Sequence, residues 1–208
     1  YIAYTLNIFY KFHLIFDMRG FWIEERVEWK IWNKLSLKYI IFKYFEKKVI
    51  IKAQSIVVLT NTASKILKEN TFNIFNDLKI SVIPTSIKIS KNSKKFIKKN
   101  KLKFVHLGSI GTRYNFGLFI LLFKKLSKEF DITIKIINKN EHDYIIKALK
   151  FNNIRKKDYN ICYVEPEYVQ HEIQNCTHGI FFPVKGFYLN GYFPTKFGEF
   201  MAQGIPII

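Results

Sequence analysis

The chain has 208 residues, with 34 Lys and Arg against 16 Asp and Glu, a net charge of +18, and 49% hydrophobic residues. That apolar share excludes a disordered chain, and the length suits one large domain or two small ones. Two cysteines, Cys162 and Cys176, exclude a disulfide framework, offer no paired metal-ligand spacing and predict a reducing, cytoplasmic setting. No run of about 18 uncharged apolar residues is present, so no membrane-spanning helix is expected. No basic stretch followed by an apolar core opens the sequence either, so no signal peptide is expected.

The first half reads as α/β. Residues 12–16 predict a strand, followed by the loop Asp17-Met-Arg-Gly-Phe-Trp22. A long helix-like stretch covers about 24–52, residues 55–59 predict a second strand, Thr60 or Asn61 a helix N-cap, and 81–84 a third strand. The stretch 29–52 interleaves lysines with aromatics, which reads first as a covering helix and second as a surface for anionic lipid.

Next comes Lys91-Asn-Ser-Lys-Lys-Phe-Ile-Lys-Lys-Asn-Lys-Leu-Lys103, with seven lysines and no acid. Such a run repels itself and stays solvated, which predicts a connection over 91–102 between a domain at 1–90 and another at 103–208. Glycine usage shifts at the same place: only Gly20 precedes residue 100, and the other eight fall from Gly108 to Gly204.

The second half alternates more strictly. Apolar, β-rich runs at 104–107, 132–137, 161–164, 179–182 and 205–208 are separated by helical spacing at about 114–130, 141–151, 166–175 and 194–203. This pattern predicts a doubly wound α/β domain with a mostly parallel sheet. Pro194 suits the first turn of the last helix and Gly204 the position just past its end. A final strand with nothing after it predicts that the chain is a piece of a longer protein.

Parallel sheets bind ligands beyond the carboxyl ends of their strands, where loops and helix N-termini converge. Two such places carry anion-binding chemistry. In Gly108-Ser-Ile-Gly-Thr-Arg113, glycines let backbone N–H groups approach an anion and Arg113 adds a bidentate donor; a tight strand-to-helix turn explains the glycines equally. In Phe193-Pro-Thr-Lys-Phe-Gly-Glu-Phe-Met-Ala-Gln-Gly-Ile-Pro-Ile-Ile208, Thr195 and Lys196 occupy a helix start, and Lys196 and Glu199 share one face. An ordinary amphipathic helix with a Lys–Glu pair is the plainer reading.

The second string resembles the donor-binding segment of glycosyltransferase family 4, whose members have the two-domain GT-B fold. Three further places agree in order. Val82-Ile-Pro-Thr-Ser86 is similar to the "VIPNG" that closes the family's first domain, and Phe104-Val-His-Leu-Gly108 resembles the first strand of its second. Asp17-Met-Arg-Gly-Phe-Trp-Ile-Glu-Glu-Arg26 resembles the "D-x-R-G…E-E-R" segment of bacterial polysaccharide members. The resemblance implies two Rossmann-like domains facing a cleft, truncated at both ends. It also implies a cytoplasmic, nucleotide-sugar-dependent glycosyltransferase of polysaccharide or cell-envelope biosynthesis that uses no cofactor.

Position by position, Glu199 matches the second Glu of the family's E-x7-E signature, which binds the donor ribose; the first falls at Gly191, so Asn190 or a loop backbone group would substitute. Lys196 and Arg113 would meet the donor diphosphate, with Gly108, Ser109, Gly111 and Thr195 around it. Asp17, Arg19 and Glu25 would face a glycan or lipid-linked acceptor, or else anchor their loop as a salt-bridge cluster. Holding a donor at about 0.1 mM requires roughly −5.5 kcal/mol. A helix start contributes about 0.3–1 kcal/mol, so two charge-assisted partners at about 1.5–3 kcal/mol each are needed. No Asp-x-Asp motif is present, so protein charge rather than a metal is expected to neutralise the diphosphate, with retention of configuration implied by the resemblance alone.

Two other readings fit some of these features. A basic nucleic-acid-binding protein accords with the charge, but the basic residues are dispersed and carry no recognition motif. A GT-B sugar-nucleotide epimerase would share the donor site. His106, His171 and His178 show no ligand spacing, and Trp22, Trp29 and Trp32 read as packing.

Overall fold

The computed structural model describes residues 2–71, 79–89, 101–111 and 114–208. The chain divides into two compact units: one runs to Thr85 and takes in Lys185–Phe193, and the other comprises Ser86–Val184 and Pro194–Ile208. Most of the lysine-rich connection lies outside the described residues, and its last residue, Leu102, already belongs to a strand.

In the first unit, helix α1 (Ile2–Tyr10) precedes a parallel sheet β1 (Ile15–Met18), β2 (Ser55–Val58) and β3 (Lys79–Val82), in that order. Helix α4 (Asn61–Thr71) follows β2, with the Thr60 hydroxyl accepting the Ala63 N–H at 3.0 Å. The expected long helix is two, α2 (Trp22–Glu28) and α3 (Leu37–Lys52). Lys30 adopts φ 57°, its N–H reaching Val27 O while Ile31 N–H reaches Arg26 O, which is a Schellman stop without glycine. Ser36 then caps α3 through the Tyr39 N–H at 3.2 Å. Helical periodicity ran across this break because the linking residues are themselves aromatic and apolar: Trp22, Trp32 and Phe42 pack ring against ring over it. The core gathers Met18, Phe21, Ile50, Ala53, Ile56, Val58, Ala63 and Leu67.

The segment Lys185–Phe193 completes this unit and corrects the expected domain limits of 103–208. Glu28, at the end of α2, accepts the N–H groups of Phe187 and Tyr188 at 2.6 and 3.1 Å, capping the 3-10 turn Phe187–Gly191. The Thr60 hydroxyl donates to Asn190 O, Phe187 packs at a tilt on Phe21, and Tyr188 meets Trp29 edge to face.

In the second unit, β4 (Leu102–Leu107), β5 (Ile132–Ile137), β6 (Tyr159–Cys162) and the short β7 (His178–Gly179) form a parallel sheet ordered β6-β5-β4-β7. Residues 206–208 add to the far side of β7 through Gly179 N–H to Pro206 O and Ile208 N–H to Gly179 O. The chain passes β4, β5, β6 in one direction and returns to the other flank of β4, so the order reverses between β4 and β7. Alternation along β4 sends Phe104 to one core with α5 (Phe116–Leu126) and α6 (His142–Phe151). Val105 and Leu107 go to the opposite core with α7 (Val169–Ile173) and α8 (Thr195–Ala202). Helix α8 ends in a Schellman motif: Gly204 at φ 64° donates to Met201 O and Ile205 to Phe200 O. Pro194 stands at the N-cap rather than inside the first turn. Among the described residues no helix is long and apolar enough to cross a membrane.

Candidate functional site

The reversal in strand order places the loop after β4 at the point where an open parallel sheet accepts ligands. Helix α8 begins there. No side chain caps its first turn, which leaves the leading N–H groups for water or an anion. Lys196, in that turn, extends its ammonium to 3.8 Å from the centre of the Tyr114 ring and 5.5 Å from that of Phe181. On its other side is Gly108, at φ +89°, where an added Cβ would lie 3.8 Å from Nζ. Nζ is closed from solvent and has no hydrogen-bond acceptor among the described residues, so the plainer expectation of a Lys196–Glu199 pair is not realised. Aromatic faces attract a cation but do not replace an anion, and burial pulls the ammonium's pKa down to about 7.

Beneath it, His106 is buried with Nε2 against Ser109 O at 3.1 Å. Burial first and the Lys196 charge second lower its pKa to about 3, so it is a neutral core histidine. Farther along α8, Glu199 is half-buried and one carboxylate oxygen, Oε2, is sealed with no partner among the described residues. Burial raises its pKa, against the hydrogen bond from Gln170. Gln170 in turn donates to Lys88 O at 2.6 Å.

The expected backbone cradle is differently employed. Gly108 N–H completes the sheet by donating to Ile137 O at 2.9 Å. The N–H groups of Ile110 and Gly111 each donate to Glu141 at 2.8 Å, one to each carboxylate oxygen. Asn138, at the end of β5, joins the pieces: its Nδ2 reaches Gly108 O at 3.1 Å and Glu141 Oε2 at 2.7 Å, and its Oδ1 accepts the Glu141 N–H at 2.6 Å. The glycine loop therefore binds an anion, as its sequence suggests, but that anion is a side chain of the same unit. Ser109 contributes its carbonyl to His106, and Arg113 lies outside the described residues.

In the first unit, Asp17, Arg19 and Glu25 line one cleft of about 400 Å³, together with Gly20, Trp22 and Glu46. Asp17 and Arg19 are 3.6 Å apart and both largely exposed, so the pair adds little to stability. Asn190 also belongs to this unit, with its side-chain N–H2 donating to Phe187 O at 2.9 Å. A Cβ added at Gly191 would lie 3.0 Å from the Phe21 ring and 3.2 Å from Gly20 Cα, so a side chain there would crowd both. Among the described residues, no three His, Cys, Asp or Glu side chains converge to hold a metal ion.

Sequence reasoning found Lys196 and Glu199 through their motif. It missed Tyr114, Phe181 and Glu141, which bear no motif and reach the site only through the fold. The one available signal for Glu141 was its place in the strand-end loop 138–141.

These features, a reversed parallel sheet with a basic helix start at the reversal, define an α/β fold with parallel sheets. The fold matches part of solved GT-B glycosyltransferase structures. The chain is similar to S. aureus TarM, solved with fondaparinux, alpha-GlcNAc-glycerol and UDP, at TM-score 0.55 and 18% identity over 78% of this chain and 31% of that one. It is also similar to the pneumococcal O-GlcNAc transferase GtfA, solved with UDP and GlcNAc, at TM-score 0.55 and 13% identity over 82% and 32%. The lipopolysaccharide outer core galactosyltransferase WaaB, in its apo form, gives TM-score 0.53 and 17% identity over 76% and 43%. The chain thus spans about a third to two-fifths of the length of these neighbours. No sequence-family model and no curated protein matches it.

Proposed function

We propose that the chain forms part of a nucleotide-sugar-dependent glycosyltransferase of the family 4 type. It would transfer a hexose to a glycan or lipid-linked acceptor in polysaccharide or cell-envelope biosynthesis. The observation that supports this reading best is the unpartnered Lys196 ammonium at the uncapped start of α8, beside the strand reversal. As the bond from the anomeric carbon to the diphosphate breaks and the bond to the acceptor oxygen forms, the departing diphosphate gains a negative charge and the acceptor hydroxyl loses its proton. Lys196 and the α8 dipole stand where they would meet that charge. Glu199 would accept the ribose hydroxyls.

UDP complexes of the structural neighbours favour UDP as the nucleotide. Diphosphate neutralisation by Lys196 and Arg113 makes the reaction metal-independent, and retention follows from the family resemblance. The cleft at Asp17, Arg19 and Glu25 is the acceptor side. Cytoplasmic placement, with the lysine- and aromatic-rich α3 against an anionic membrane, suits a lipid-linked acceptor.

The test is thermal stabilisation of the protein by UDP-, GDP- and dTDP-sugars. Stabilisation by one nucleotide class, lost in Lys196→Ala and Glu199→Ala, supports the reading and identifies the base. Equal indifference of wild type and variants to all donors overturns it.

A further inference from the structure

As a phosphate ligand Lys196 would be unusual, because among the described residues its surroundings supply no counter-charge. The loop after β4 offers Gly108 backbone, β4 itself offers His106 in its neutral form, and the chain beyond offers the rings of Tyr114 and Phe181. On its own helix the nearest acid along the face is Glu199, and no ion pair joins the two. Glu141 is committed to Ile110 and Gly111. An ammonium closed from water with no acceptor is costly, and such a group gives up its proton rather than bear the penalty.

We infer that this site takes up its anion together with a proton: walled by aromatic rings and backbone, with no acceptor among the described residues, Lys196 Nζ holds its proton poorly in the free protein and regains it when a diphosphate reaches it. The inference rests on the reading of α8 as the diphosphate end of the donor site and deepens it. The proton comes from water or buffer, and the ligand's negative charges supply the stabilisation that the aromatic walls lack. The lowered proton affinity of the Lys196 ammonium, near 7, accords with this geometry.

The sign follows from linkage. Below pH 7 the ammonium is already protonated, and binding is insensitive to its titration. Above pH 7 each bound ligand draws in a proton, so affinity weakens with rising pH. The terminal phosphate of UDP, with its second ionisation near 6, is already ionised over this range.

Calorimetric titration of the whole protein with UDP, in buffers of low and high ionisation heat, reads the proton directly. Proton uptake that grows as pH rises from 7 to 9 is expected, with affinity falling by up to about tenfold per pH unit over the same range. Lys196→Arg, which stays charged throughout, should bind UDP with no uptake and a flat profile. UDP binding to wild type with no dependence on buffer overturns the inference and leaves the donor site standing. Equal proton uptake in a folded Lys196→Met variant also overturns it, by placing the proton elsewhere. Failure of UDP to bind the folded wild type at any pH overturns the donor reading itself.

Discussion

Glu141 and Gly111 are thirty residues apart, yet a carboxylate oxygen of the first accepts the N–H of the second at 2.8 Å. With the matching bond to Ile110 and the bridge from Asn138, this clip sets the path of the loop that walls Lys196.

Removing the carboxylate leaves two loop N–H groups and the Asn138 amide short of an acceptor. Glu141→Ala is expected to cost about 2–3 kcal/mol by denaturant unfolding. Glu141→Gln, which keeps one carbonyl oxygen, should cost about half as much. Equal stability of all three proteins would show that the clip carries no energy.

Lys196 should show the opposite balance. Replacing a sealed, unpartnered ammonium with Met removes a desolvation cost, so Lys196→Met is expected to raise stability by about 1 kcal/mol at pH 7 while abolishing stabilisation by UDP. A variant that loses stability and retains UDP binding would contradict both halves.

The same residue imposes a pH dependence on folding. Its proton affinity is lower in the folded state, so the unfolded chain binds more protons between pH 7 and about 10. Lys196 therefore makes stability rise with pH, by roughly 1 kcal/mol per unit above pH 7, so the advantage of Lys196→Met over wild type should close near pH 8 and reverse by pH 9. A constant gap, measured by urea unfolding at each pH, would refute it.

Glu28 tests the attachment of Lys185–Phe193 to the first unit. Glu28→Ala frees two N–H groups at Phe187 and Tyr188, and a loss of about 1–3 kcal/mol is expected, with faster proteolysis within 185–193. Unchanged protection of that segment would show that ring packing alone retains it.

Asp17 separates packing from chemistry in the 400 Å³ cleft. Because its partner Arg19 is exposed, Asp17→Asn should leave stability within about 0.5 kcal/mol. A fall in transfer rate without a change in UDP affinity is the expected kinetic result. An unchanged rate would remove Asp17 from the acceptor side.

Much of the architecture was fixed by local chemistry. Strand β5 occupies 132–137 as expected, because five of its six residues are β-branched and suit a strand buried on both faces. Helix α8 stops at Ala202, two residues before Gly204, because glycine takes φ 64° at little cost and lets the chain turn away. The break at Lys30 went unseen because a lysine made the left-handed turn, which composition does not announce.

The α/β alternation, the helix start at 194–196 and the charged pair Lys196 and Glu199 on it are all written in the order of residues. What those two groups meet depends on contacts between distant segments. Pairing β7 to β4 brought the α8 start beside the Gly108 loop, folding enclosed Nζ between Tyr114 and Phe181, and the loop's amides went to Glu141. Local patterning records which face of an element is apolar, whereas the counter-charge of a buried amine depends on residues brought together from distant strands.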